Sequence, residues 1–449
     1  MDTNVTLKVA DFIENFSTKS SGIEGELKAQ VRKLFLDFLS VTIVGSKSPV
    51  SQKLFSYLKT GIEEQGSIVI GHNSRTIYYK NAAFINGTSA HALDFDDGYT
   101  QGSVHIGSVV FPTVLAMAEK NKNSSEEIFR AIIVGYEVII RVASMIHPYS
   151  REHGYHNTTV AGIFGAVGVV SSLLKLNKEQ IIGALGNALS FTSGTFAFLH
   201  SGSDIKRLHP GIAAFNGITA TELAKHEILG PENIFERNFG LFDVFSNRKF
   251  NKSENEKSWD EPLGIFDAYI KTYPCCRQLD STINAIKKIK SRALINPSDI
   301  KRIEVRTHYL AAEHNQKNCT NFIDAQMSIP YAIAVSIIDE VITPESFHIN
   351  RSKKELINDI KSKVEVYKDE DFEGLYPPIR KSEVTIYKKD NEVLVDYSDK
   401  SIGEPSSELS FDNIVEKFKN NCQNRLTDKT MEEVVKNVYE LKFLKAVNF

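Results

Sequence analysis

The segment HALDFDDG runs from His91 through Asp94, Asp96 and Asp97 to Gly98, and His105 follows a few residues on. Carboxylates and imidazoles at this density bind metals, move protons or cap the end of a helix. His91 and Asp94 are three apart and so share a helical face, the minimal pattern of a metal-dependent hydrolase. A second polar spot pairs His153 and His156 with a glycine-rich apolar run. An isolated histidine is more often a satisfied surface or core residue than a catalyst, so this spot is weak by itself.

The third spot is GSDIKRLHPG, from Gly202 to Gly211, where Lys206 and His209 stand just ahead of a helix start. Cationic side chains beside free backbone N–H groups suit a carboxylate ligand, although a charged loop between helices has the same composition. The fourth is KTYPCCRQLD, from Lys271 to Asp280. Its Arg277 has the geometry to clamp a carboxylate with two parallel hydrogen bonds, and a cysteine beside a helix start, Cys275 or Cys276, could carry a lowered thiol pKa. No nucleophilic serine elbow, phosphate-binding loop, dinucleotide fingerprint or HExxH motif occurs.

Helices must position most of these groups. Leu27, Val31, Leu34, Phe35, Phe38 and Leu39 recur at helical spacing until Gly45. Further helices are predicted over Asn81 to Leu93, Pro112 to Glu119 with proline at the start, Ser125 to Ile146 behind an N-cap at Ser124, and Thr158 to Leu174. Asn177 and Gln180 form a capping-box pattern ahead of a helix through Leu189, and Pro210 to His226 continues the series to the break at Gly230 and Pro231.

A polar stretch from Asn247 to Glu261 then reads as a surface loop or linker. Beyond it Ile303, Val305 and Thr307 alternate with charged residues, and Val384, Ile386, Val393 and Val395 flank a turn at Lys389 to Asn391, as in a hairpin. Helical stretches at Ser281 to Ala293 and Met327 to Ile338 lie between these strands. The chain therefore reads as mainly α with an α+β second domain. Residues 1–263 form a large helical domain, 264–399 a smaller α+β domain, and helices within 400–449 return to the first.

Composition limits the function classes. The 449 residues include 53 basic and 56 acidic side chains spread along the chain, a net charge of -3, which gives no basic face for nucleic acid or an anionic membrane. Val160 to Leu174, the longest uncharged apolar run, is short for a bilayer and reads as a packed core helix. Four cysteines without CxxC spacing and an N-terminus without an apolar signal region fit a reducing cytoplasm. The expected partner is a small molecule.

Five segments in series, HALDFDD, the run from His105 to Pro112, GYHNTTVAGIFGA, GSDIKRLHPGIAAFNG and YPCCR, resemble the MmgE/PrpD family over essentially the whole chain. That family comprises 2-methylcitrate dehydratases, cis-aconitate decarboxylases and iminodisuccinate epimerases, commonly homodimers with a helical domain and a smaller lid domain. The resemblance implies a cofactor-independent lyase acting on a small polycarboxylic acid, with no metal, and a homodimer. Carried over by motif, Asp94, His105, His156 and Lys206 are the catalytic candidates. Arg277, Asp280, His209 and Tyr273 are the substrate-binding ones.

His156 or His105 would transfer protons, Lys206 and Arg277 would hold carboxylates or a developing oxyanion, and Asp94 would orient or act as an acid. Two positions depart from the family pattern: Gly98 stands where a threonine is usual, and Asp280 where a histidine is usual. The alternatives are an epimerase or isomerase of a dicarboxylate such as iminodisuccinate, a metal-dependent hydrolase built on His91 and Asp94, and a non-enzymatic helical scaffold.

Overall fold

Local capping signals set several helix starts. Ser124 accepts from the Glu127 backbone N–H while the Glu127 carboxylate accepts from Ser124 N–H, opening helix Ser125–Ile146. Asn177 and Gln180 reciprocate in the same way ahead of helix Lys178–Phe191. These helices belong to a computed structural model that describes residues 4–18, 25–59, 66–72, 76–198, 203–248, 259, 263–376 and 379–449. Most of the polar stretch from Asn247 to Glu261 lies outside the described residues.

The chain divides into two units, Met1–Ile270 with Ser410–Phe449, and Lys271–Leu409. In the first, helix Gly25–Gly45 is buried along nearly its whole length and packs against helix Phe411–Cys422. Lys417 Nζ reaches the buried Asp37 carboxylate at 2.5 Å, and Asn421 donates to Ser40 Oγ at 2.9 Å. Burial still lifts the Asp37 pKa to about 6 against the lowering effect of Lys417.

Helices Ser125–Ile146, Gly162–Leu174 and Ile205–Lys225 form the centre of this unit around an apolar core that includes Phe164, Val167, Ile132 and Ile139. The segment Asn157–Leu174 is long and apolar enough to cross a membrane, and 94% of it is buried inside the fold, as a core helix would be.

Three helix boundaries differ from the sequence reading. Pro112 and Pro210 do not start helices; they sit inside Gly107–Asn121 and Ile205–Lys225. A proline so near a helix start removes one backbone hydrogen bond, a cost of about 3 kcal/mol that packing on neighbouring helices offsets. The stretch from Thr158 is interrupted at Ala161, giving Asn157–Val160 and Gly162–Leu174.

The second unit carries a four-stranded sheet in the order Val364–Lys368, Ile300–Thr307, Ser382–Lys388, Val393–Ser398. The first pair is parallel and the others antiparallel, with Val305 opposite both Val366 and Val384. Alternating inward residues Ile303, Val305, Val384 and Ile386 meet Ile283 and Ile286 of helix Asp280–Arg292 and Ile333 of helix Ile329–Ile338 in one core. The fold is thus a large helical part with a smaller α+β part.

Candidate active site

Two helices approach closely enough to bring their functional ends together. A Cβ on Gly87 would lie 2.9 Å from the Cα of Gly211, so only glycines allow helix Tyr79–His91 to lie against helix Ile205–Lys225. His91 lies one turn beyond Gly87, and Lys206 and His209 lie within two turns before Gly211. The end of one helix therefore faces the start of the other.

Asp94 closes the first helix in the left-handed region, φ 51°, and its N–H donates to the His91 carbonyl. That turn sends Asp96 and Asp97 inward, where both are fully buried. The following loop returns through a bridge between Tyr99 and Val104, and Gly98 pairs with Tyr269. A Cβ at Gly98 would lie 2.5 Å from the Tyr269 hydroxyl, so the threonine of the family pattern has no room here without moving that ring. His105 leaves this loop with its N–H bonded to Thr158 Oγ1 at 3.1 Å.

Asp96 is the hub of the cluster. Both its oxygens lie 3.0 Å from His91 Nδ1, and one lies 3.3 Å from His105 Nδ1. Burial raises the pKa of this carboxyl, but the imidazoles of His105 and His91 outweigh it and hold the group well below the usual range. Burial lowers the His91 pKa to about 4, so His91 is a neutral ring donating from Nδ1. Its Nε2 is buried without a hydrogen-bond partner among the described residues.

His105 Nδ1 also lies 3.0 Å from the Asp97 carbonyl, which fixes the ring with Nε2 toward Asp94, 3.6 Å from Oδ1. Lys206 Nζ stands 3.2 Å from the other Asp94 oxygen. Asp97 has a supporting part: its carboxyl accepts from Gly107 N–H at 2.8 Å and from Tyr136 Oη at 2.6 Å. Burial pushes its pKa to about 8 despite those donors.

His156 and His209 meet on the other side of His91. Their Nδ1 atoms are 2.7 Å apart, and both rings are buried. His156 is held by a short strand-like pairing in which its N–H donates to Gly194 O and Phe196 N–H donates to Gly154 O. Phe196 and Phe198 stand edge-on to its ring. Burial lowers the pKa of both histidines; the neighbouring His209, His91 and Lys206 lower that of His156 further, and His91 and Lys206 help bring His209 down to about 4. A cavity of about 410 Å³ lies against His209, lined also by Ser193, Thr195, Phe198 and Ser203.

The structure thus gathers Asp94, His105, His156, Lys206 and His209 in the first unit. Arg277, Asp280 and Tyr273 belong to the second. There Arg277 pairs with Asp280 at 2.5 Å and with Glu404 at 2.9 Å, and Tyr273 Oη donates to Asn284 at 2.7 Å. Burial raises the Asp280 pKa to about 6, against Arg277 and Lys271. Cys276 Sγ lies 3.7 Å from His314 Nε2.

Potential ligand atoms of His91, Asp94, Asp96 and His105 all lie within 4.8 Å of one another, close enough to share a cation. One feature opposes that use: the Lys206 ammonium already supplies positive charge to Asp94. Asp96 and Asp97 lie in the singled-out HALDFDDG segment, but their hub and supporting parts were not legible. The inward turn at Asp94 that separates three similar carboxylates has no sequence mark.

Residues 8–253 match the MmgE/PrpD N-terminal domain, and residues 273–441 match the MmgE/PrpD C-terminal domain. Cis-aconitate decarboxylase of Homo sapiens is 27% identical, with 96% of this chain and 92% of that protein covered. Cis-aconitate decarboxylase of Aspergillus terreus is 26% identical over 75% of this chain and 72% of its own length. A probable 2-methylcitrate dehydratase of Saccharomyces cerevisiae is 24% identical over 75% of this chain and 69% of its own. With both domains matched in order along most of its length, this chain belongs to the MmgE/PrpD family.

Proposed function

We propose that the protein is a lyase acting on a small polycarboxylic acid, by proton transfer next to a carboxylate and without a bound cofactor. The observation that carries this reading is the convergence of Lys206, Asp94, His105 and the His156–His209 pair in one part of the first unit. The relatives whose names are decarboxylase and dehydratase support the reaction class.

Lys206 would exchange its Asp94 contact for a substrate carboxylate and hold the charge that develops as a proton or carbon dioxide leaves the neighbouring carbon. His105 has Nδ1 fixed by Asp96 and the Asp97 carbonyl, which leaves Nε2 to take or give the proton. His156 acts from the opposite aromatic-walled side. Decarboxylation breaks a C–C bond and requires one proton for the resulting carbanion. Dehydration removes a proton from one carbon and hydroxide from the next.

A second reading, epimerisation of a dicarboxylate, is supported by the presence of two separately positioned imidazole sites. The test is incubation of metal-stripped protein in deuterated water with cis-aconitate, 2-methylcitrate, citrate and iminodisuccinate, followed by proton NMR. Release of carbon dioxide or water from one compound is the expected result. Deuterium exchange with unchanged connectivity would replace the lyase by the epimerase.

A further inference from the structure

A neutral imidazole is a poor proton donor by itself, because giving up its N–H proton leaves an imidazolate. It becomes a competent donor when its other nitrogen gains a proton at the same time. The His156–His209 pair has the geometry for that exchange.

With 2.7 Å between the two Nδ1 atoms, one nitrogen must donate and the other accept, so the two neutral rings hold opposite tautomers. The contact uses Nδ1 of both rings, so the two Nε2 atoms are the ends available for exchange with water or substrate. One end of the pair is His156, whose ring lies 6.3 Å from that of His91 in the carboxylate–imidazole cluster. The other is His209, which lines the cavity of about 410 Å³. Ser193, Thr195 and Ser203 at that cavity are exposed, and their hydroxyls suit water. Phe196 and Phe198 cover the His156 ring and favour His209 as its route to water.

We propose that His209 and His156 form a proton relay between the water of this cavity and the reacting carbon. In a delivery step a water proton joins His209 Nε2 and the His209 Nδ1 proton crosses to His156 Nδ1. The His156 Nε2 proton passes to the substrate carbanion. A C–H bond forms, hydroxide stays with the cavity water, and both rings end neutral with their tautomers exchanged. Run backward, the same wire accepts a proton from substrate and releases it to water; after product leaves, water at the His156 end returns the pair to its starting state.

His209 is a positioning and recharging residue, not one that touches substrate. This rests on the lyase reading, so the test separates the two. His209→Asn retains a side-chain hydrogen-bonding group but cannot carry a proton through. His209→Ala opens a hole beside the cavity. With the polycarboxylate that the wild type turns over, the relay predicts a kcat about 100-fold lower in both variants, with KM little changed, and recovery of the alanine variant alone by added imidazole or 4-methylimidazole.

Unchanged kcat in His209→Asn, or loss in His209→Ala that imidazole does not restore while its circular dichroism matches wild type, overturns the relay. Nitrogen-15 spectra of histidine-labelled resting protein give an activity-free reading. One Nδ1–H and one Nε2–H tautomer at positions 156 and 209 support the relay, and identical tautomers overturn it. A wild type inactive on every polycarboxylate would instead count against the lyase reading.

Discussion

Replacing Asp96 by asparagine should separate stability from catalysis. The carboxylate offers acceptors to two imidazole Nδ1–H groups, at 3.0 Å from His91 and 3.3 Å from His105. An amide of the same shape offers one acceptor oxygen and one donor NH2. Neither end of the amide carries the charge that stabilises the imidazolium formed when His105 Nε2 takes a proton, which leaves the neutral Asp97 carbonyl as the Nδ1 acceptor. Hydrogen bonds to a charged acceptor contribute about 1.5–3 kcal/mol and neutral ones about 0.5–1.5, so two contacts lose roughly 2–3 kcal/mol. Removing a buried carboxylate relieves several kcal/mol of desolvation.

The two effects largely cancel, and the midpoint of thermal unfolding should move by no more than a few degrees. The barrier has no such compensation. Loss of one correctly protonated acid or base costs about 10²–10⁴ in rate, roughly 3–5.5 kcal/mol. The assay is kcat/KM on the preferred polycarboxylate beside a thermal melt of the same preparation. A kcat/KM within threefold of wild type would refute this role of the Asp96 charge, and an unfolded variant would refute the cancellation.

Other outcomes follow from single contacts. Gly98→Thr should cost about 1–3 kcal/mol, because its Cβ meets the Tyr269 hydroxyl, and pairing it with Tyr269→Ala should recover part of that loss in urea unfolding. The Asp97 carboxyl, lifted to about 8 by burial, stays protonated in the folded state over a range where the unfolded chain has ionised. Its stabilisation is fully present below about pH 4 and is lost as pH rises toward 8, by about 1.4 kcal/mol per pH unit.

His91, lowered to about 4, has the opposite slope below pH 6.5. Asp97→Asn should therefore flatten the stability profile most visibly between pH 6.5 and 8, and an unchanged slope there would contradict the buried protonated carboxyl. Exhaustive chelation should leave kcat unaltered, whereas added zinc should inhibit by displacing Lys206 from Asp94 and occupying His105 Nε2. Activity lost on chelation and restored by a metal would move the cluster to the hydrolase reading.

Features decided within a few residues were legible in the sequence. Ser124 with Glu127 and Asn177 with Gln180 mark helix starts because a capping box is complete in four residues. The hairpin of Ser382–Lys388 and Val393–Ser398 is likewise local. Pro112 and Pro210 misled because neighbouring helices, not their own sequence, sustain the turn ahead of each proline. The strand Val364–Lys368 pairs in parallel with residues some sixty positions earlier, a partner that its short alternation does not name.

At the site, motif resemblance picked out Asp94, His105, His156 and Lys206, which the fold gathers with His209. It carried no information that His156 and His209 share a hydrogen bond across fifty-three residues, or that Asp96 holds two imidazoles. Those facts depend on the glycine contact between two helices and on one left-handed residue at the end of the first.

The proposed activity is proton transfer on a polycarboxylate. Its most direct test is the proton NMR experiment in deuterated water, run with the wild type and with Lys206→Met. The expected result is release of carbon dioxide or water from one tricarboxylate by the wild type, with deuterium at the carbon that gains a proton if carbon dioxide leaves, and at least a 100-fold slower reaction in the variant. Turnover by Lys206→Met at the wild-type rate would rule out the role of Lys206, and no reaction of any polycarboxylate with the wild type would rule out the activity.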